Sequence, residues 1–356
     1  MVLLLFLLAG SINYIAFERI ELRPRIDARV ESRATPTVNL LLGGFRGVVA
    51  DWLWLRAMIL QEQGRFVEII QLAEWITALQ PQFPDIWVLH AWNLAYNITV
   101  LLPDGQERWR WVRHGYEILR DQAIPATRYH PRICSELAWI LMHKIGGTTD
   151  DFADTFFYNW VALYAPPLLD EKGRLPSAPE AKKAFLRESG LPERRLQAFE
   201  TKYGPHDWRH PLTHAAAWAY IGFQAKPDDT ETIMAERLLL QIYRKLLFQG
   251  SIEQDTDQRM LRLAPDLNRI DAVLDLFAEA YHRGRIHEIE TSYLMTMERV
   301  IQLLVAHDKS SEAEKIYAQL VEVFPQSLSA ERGFTALAAL PFQPEIRNIP
   351  FPGERP

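Results

Sequence analysis

Residues 64–81 read Gly64-Arg65-Phe66-Val67-Glu68-Ile69-Ile70-Gln71-Leu72-Ala73-Glu74-Trp75-Ile76-Thr77-Ala78-Leu79-Gln80-Pro81, and their spacing decides the fold. Ile69, Ile70, Ala73, Ile76 and Leu79 recur at i, i+3, i+4 and i+7, the signature of one face of a helix. Pro81 cannot continue that helix and closes it. Residues 313–325 repeat the pattern with Ala313, Ile316, Tyr317, Leu320, Val321 and Phe324 before Pro325. A short helix with such a stripe cannot bury it alone and needs a stacked neighbour. The expectation is an all-α chain built as an array of antiparallel helix pairs.

Working outward, helices over 48–62 and 65–79 turn at Gln63-Gly64. A second pair covers 84–99 and 106–121 around the loop Leu102-Pro103-Asp104-Gly105, and a third covers 131–144 and 149–164 around Gly146-Gly147. The Trp-rich first block therefore spans 38–164. Residues 165–210 form an insertion, with Pro166, Pro167, Pro176, Pro179, Pro192 and Pro205 and one or two short helices expected, at 179–188 and 192–202. Pairs resume over 211–325, at 211–223, 229–247, 266–282, 287–307 and 311–323. Asp228-Asp229-Thr230-Glu231 offers N-caps to the second of these, and Ser311 with Glu314 a capping box to the last. Residues 326–356 are expected to be an extended tail. No alternating run long enough for a sheet is evident.

The first pair resembles a tetratricopeptide repeat: Gly64 at the turn, Phe66 two positions on, Ala73 on the second helix and Pro81 at its close fall at that family's spacing. Ala313, Tyr317 and Pro325 repeat the second-helix spacing without the turn glycine. The resemblance covers about two repeats and implies a right-handed superhelix, a solenoid with a concave binding face. It names no ligand.

The apolar N-terminus adds a second expectation. Met1 to Phe17 carry no charged side chain, which suits a single-pass anchor in a bacterial-type cytoplasmic membrane. Residues 18–37 alternate Arg with Glu or Asp and read as a charged stalk. Arg19, Arg23, Arg25, Arg29 and Arg33 follow the apolar run, yet nothing basic precedes it, so the side on which the helical region lies stays open. A net charge of −6 without a basic aromatic stripe speaks against nucleic acid as a partner. Cys134, the single cysteine, excludes an internal disulfide and a Cys-rich metal site. No phosphate loop, nucleophile elbow, zinc-protease or haem motif is present, and no cofactor is expected.

Two constellations remain. All eleven tryptophans lie between Trp52 and Trp218. They read either as packing between stacked pairs or as a surface for a partner or glycan. If a patch on this half binds a partner, the candidates are Trp92 with Asn93, Tyr96 with Asn97, and Trp109 with Arg113. The second constellation is Tyr203-Gly204-Pro205-His206-Asp207-Trp208-Arg209-His210-Pro211, with His214 beyond. Three histidines four apart would share a face of one continuous helix and hold Zn²⁺, but Pro211 belongs to a first helical turn and breaks that continuity. The preferred reading is a docking turn of His206, Asp207, Trp208, Arg209 and His210: His210 caps the following helix, Asp207 pairs with Arg209, and no metal is bound. The functional expectation is a membrane-anchored adaptor in a protein complex. The alternative is an enzyme or glycan-binding protein with an aromatic cleft and His206–His214 at work.

Overall fold

The Gln63-Gly64 turn folds the first two helices into a hairpin. A computed structural model describes residues 46–166, 168–225, 230–255, 257–284, 287–342 and 346–351. Helices α1 (Arg46–Glu62) and α2 (Phe66–Leu79) close face to face around buried Leu53, Ala57, Leu60, Ile69, Ala73 and Ile76. Gly64 sits at φ +70°, a conformation that costs other residues strain, and lets Arg65 N reach Leu60 O at 2.9 Å.

Helix α3 (Pro84–Trp92) starts on a proline, runs on as a π-helical turn over Asn93–Ile98, and ends in a single 3₁₀ turn at Thr99–Leu101. Buried Asn93 donates its Nδ2 to Phe66 O at 2.7 Å, tying this hairpin to the first. Helix α4 (Gly105–Ile118) is capped by Asp104, whose Oδ1 accepts from Gln106 N and Glu107 N. A second π turn (Leu119–Ala123) leads to the short α5 (Ile124–Thr127). Helix α6 (Pro131–Trp139) carries a third at Ile140–Ile145, and α7 (Ala153–Leu163) completes the block.

The insertion holds α8 (Pro179–Ser189) and α9 (Glu193–Tyr203), where its proline spacing puts them. Next comes α10 (Pro211–Phe223), every residue of which from Pro211 to Gly222 is buried. A helix apolar all round belongs inside a protein. Its alanines and Gly222 allow close approach: a Cβ added to Gly222 would stand 3.0 Å from Cys134 Cβ on α6. Helix α11 (Thr230–Gln249) packs along its other side. Helices α12 (Ile270–Gly284), α13 (His287–Ala306) and α14 (Ser310–Val323) then pack each on its predecessor.

The chain is mostly helical, and the expected helices form within a few residues of their spacing. The expectation of no sheet fails. Strands β1 (Ser251–Asp255), β2 (Met260–Ala264) and β3 (Arg347–Pro350) make an antiparallel sheet in that order. Ile252, Leu261, Leu263 and Ile349 turn inward onto Phe157 of α7. Each strand contributes only one or two inward apolar residues, too few for alternation to register.

The tail is also not simply extended. After α14 come α15 (Leu328–Arg332) and α16 (Phe334–Ala338), and Tyr317 OH donates to Ser329 O and Ala330 O. The Ser311–Glu314 capping box does not form. Helix α14 begins at Ser310 without a side-chain cap, and Lys309 Nζ reaches Glu312 at 3.0 Å instead. The expected anchor, stalk and residues 38–45, together with Asp228 and Asp229, lie outside the described residues. Among the described residues no helix is long and apolar enough to cross a membrane.

Candidate functional site

The six residues proposed as one partner patch separate into four environments. Trp92 and Tyr96 stack at 4.4 Å, and the ladder continues across to α6: Tyr96 lies 5.8 Å from His143, which stacks on Trp139 at 4.9 Å. Trp92 Nε1 donates to Glu136 Oε1. Lys144 Nζ lies 5.1 Å over the Tyr96 ring while pairing with Asp150 at 2.7 Å. Burial lifts the Glu136 carboxyl to about 7, opposed by the Trp92 N–H and by Arg132. Tyr96 and His143 both sit in π turns, a distortion that recurs at functional sites.

Asn93 and Asn97 belong to the scaffold: Asn97 Nδ2 lies 3.4 Å from Asn93 Oδ1, behind the bond to Phe66. Trp109 is buried against Phe156. Arg113 pairs with Glu117 at 2.7 Å and reaches Glu188 of the insertion at 3.5 Å. Sequence reasoning missed Glu136, Trp139 and His143. Their i, i+3, i+7 spacing was a visible signal, but their proximity to Trp92 depends on how two hairpins meet.

The docking turn is held by side chains. His210 accepts from Leu212 N at Nδ1 and donates from Nε2 to Gln249 O at 3.1 Å, and Arg209 grips Asp207 with two bonds of 3.0 and 2.7 Å. His214 donates to Trp208 O at 2.8 Å. His206 bridges Glu200 Oε1 at 2.8 Å and Tyr243 OH at 2.9 Å, and Glu200 Oε1 also accepts from Trp208 Nε1 at 2.7 Å.

A carboxylate–imidazole–hydroxyl chain can relay a proton. Here His206 and Tyr243 are both fully buried, with Phe199 stacked on the imidazole at 4.6 Å. Burial lowers all three histidines, His210 and His214 to about 3, so they stay neutral near pH 7. Their bonded nitrogens face separate partners, with His214 Nδ1 left without one, and among the described residues no group of three His, Cys, Asp or Glu is placed to hold a metal.

A polar cleft opens beside this turn. It is about 480 Å³ in volume and lies between the loop 171–174, Asp207 and Arg209, strand β1, and residues 266–269.

The tryptophans divide as well. Trp87, Trp109, Trp160, Trp208 and Trp218 are buried, whereas Trp52, Trp75 and Trp92 are exposed on α1, α2 and α3. The outer face of α1 carries several exposed apolar side chains. Val48 (60% exposed), Trp52 (46%), Leu55 (60%) and Ile59 (53%) follow one another at helical spacing, and Met58 on α1, Val67 and Trp75 on α2 and Phe83 after it are exposed as well. No family model matches the chain, and no curated protein matches it in sequence.

Proposed function

We propose that this protein is a membrane-anchored, tetratricopeptide-like helical scaffold that docks a protein partner on the outer face of α1 and α2. The single observation that carries the reading is the exposed stripe Val48, Trp52, Leu55 and Ile59. Contiguous exposed apolar surface of this kind marks interaction sites. Trp, Met and Phe are the types enriched at protein interfaces, and Lys, which is depleted there, is absent from both helices.

Charge favours a protein over a lipid surface. Between Val48 and Leu79, Arg56 and Arg65 stand against Asp51, Glu62, Glu68 and Glu74, so the hairpin carries no basic excess to attract anionic headgroups. The apolar run Met1 to Phe17 would supply the anchor and raise the local concentration of the stripe near membrane partners.

The reading is tested by placing a photo-crosslinking residue at position 55 of the full chain in native membranes, with position 314 on α14 as an exposed control. The expected result is a discrete protein adduct from position 55 alone that disappears when Ile59→Glu is added. Adducts to lipid only, or equal yields at the two positions, would overturn it.

A further inference from the structure

We infer that the polar cleft beside the docking turn binds a compact phosphate-bearing solute, held by Lys172 and Arg174 at its lip and Arg269 at its floor. The lip is built for its place. Asp170 Oδ1 accepts from Lys172 N at 2.9 Å and Arg174 N at 2.7 Å, and Gly173 O accepts from Trp208 N at 2.7 Å. Gly173 lies at φ +71°, and a Cβ there would stand 1.9 Å from Asp207 Oδ1, so only glycine lets this loop reach the turn.

Four cations, Lys172, Arg174, Arg209 and Arg269, line the space with three carboxylates, those of Glu171, Asp207 and Asp266. Asp207 is taken by Arg209, and Asp266 by Arg269 and Asn268. Among the described residues Lys172 and Arg174 have no carboxylate partner, and Arg174 Nη1 is buried without a hydrogen bond. Arg269 is 6% exposed, and its guanidinium is under-satisfied. Nη2 donates to Pro205 O at 3.3 Å, while Nε lies 2.9 Å from Asp266 Oδ2 without the alignment of a hydrogen bond.

A buried donor left unmade is costly, and guanidinium forks match the oxygens of phosphate. The lining contains one apolar side chain, Ile252, and no aromatic ring. The solute therefore has nothing to stack and is small and polar, a size the cleft's volume admits. The cationic field reaches past the cleft: Arg269 and Arg174 add to the burial that keeps His206 neutral.

The experiment is calorimetric titration of the full chain with inorganic phosphate and with a hexose phosphate, repeated for Arg174→Gln and Lys172→Gln. Vesicles containing phosphatidic acid form a second arm. Saturable binding of the soluble phosphates is expected, weakened about tenfold by each substitution, roughly 1.4 kcal/mol. Both substitutions lie at the lip, so unchanged melting curves will separate lost binding from lost fold. The inference is overturned by no saturable binding up to about 10 mM phosphate, by binding that neither substitution weakens, or by binding to the vesicles alone.

Discussion

The first hairpin and the segment 199–214 use the same materials, aromatics and charged side chains, to opposite ends. On α1, Trp52 is exposed in the same stripe as Leu55 and Ile59, and on α2 Trp75 is exposed. In the docking turn, Trp208 is fully buried with Phe185 at 5.4 Å, His214 at 5.1 Å and Phe199 at 6.0 Å, and its N–H is spent on Glu200. The lesson concerns what a tryptophan is worth: buried, its area and its N–H both stabilise the fold, whereas exposed, that area is left for something outside the chain.

The sharpest way to break this contrast is truncation. Trp208→Ala is expected to cost about 3–5 kcal/mol of unfolding free energy, because it opens a cavity and removes a partner from Glu200. Trp52→Ala should stay within about 0.5 kcal/mol, as surface changes usually do. Denaturant melts of the two variants check this, and comparable losses would erase the distinction.

The next test uses acid. His210 is held at about 3 in the folded chain against an ordinary value near 6.5. Between those values the unfolded chain binds the extra proton, so stability falls as the pH drops below about 6.5, by about 2 kcal/mol at pH 5 for this one group. His210→Asn keeps a capping side chain for Leu212 N and removes the titration. Its acid unfolding should take up about one proton fewer, measured from the slope of stability against pH. An unchanged slope would mean that the turn is not sealed.

The aromatic seam should move the other way and by less. Glu136 is raised to about 7 from 4.5, so the folded state holds its proton between those values. The associated stability is complete below about 4.5 and lost as the pH rises through 7. Glu136→Gln keeps an acceptor for Trp92 and stays neutral, so it should be more stable than the parent above pH 7, on the order of 1 kcal/mol. Thermal melts at pH 6 and pH 8.5 (about a unit or more either side) check the sign, and equal differences at both would place Glu136 in water.

Helices were legible because each carries its own period. Gly64, Pro84, Asp104 and Pro211 announce their ends through local chemistry that needs no knowledge of the rest of the chain. The His210 cap and the Arg209–Asp207 pair were legible for the same reason, since Pro211, His210, Asp207 and Arg209 are neighbours in sequence. The seam was half legible: Trp92 and Tyr96 sit four apart, but Glu136 and His143 join them only because α3 and α6 pack side by side. The polar cleft was illegible, because Arg174, Arg209 and Arg269 belong to three segments with nothing periodic between them. The sheet escaped notice because its strands are short and one of them lies far downstream.

The distance to that downstream strand bears on synthesis. Strand β2 ends at Ala264 and its partner β3 begins at Arg347, 83 residues later by subtraction, and Arg347 also reaches back to Asp154 at 2.8 Å and to Gly146 O. At about 5–20 residues per second, a ribosome leaves the β1–β2 ribbon with an unpaired edge for roughly 4 to 17 seconds. The nascent chain must therefore tolerate that open edge until the clasp arrives, and Arg262 in the middle of β2 places a charge on it meanwhile.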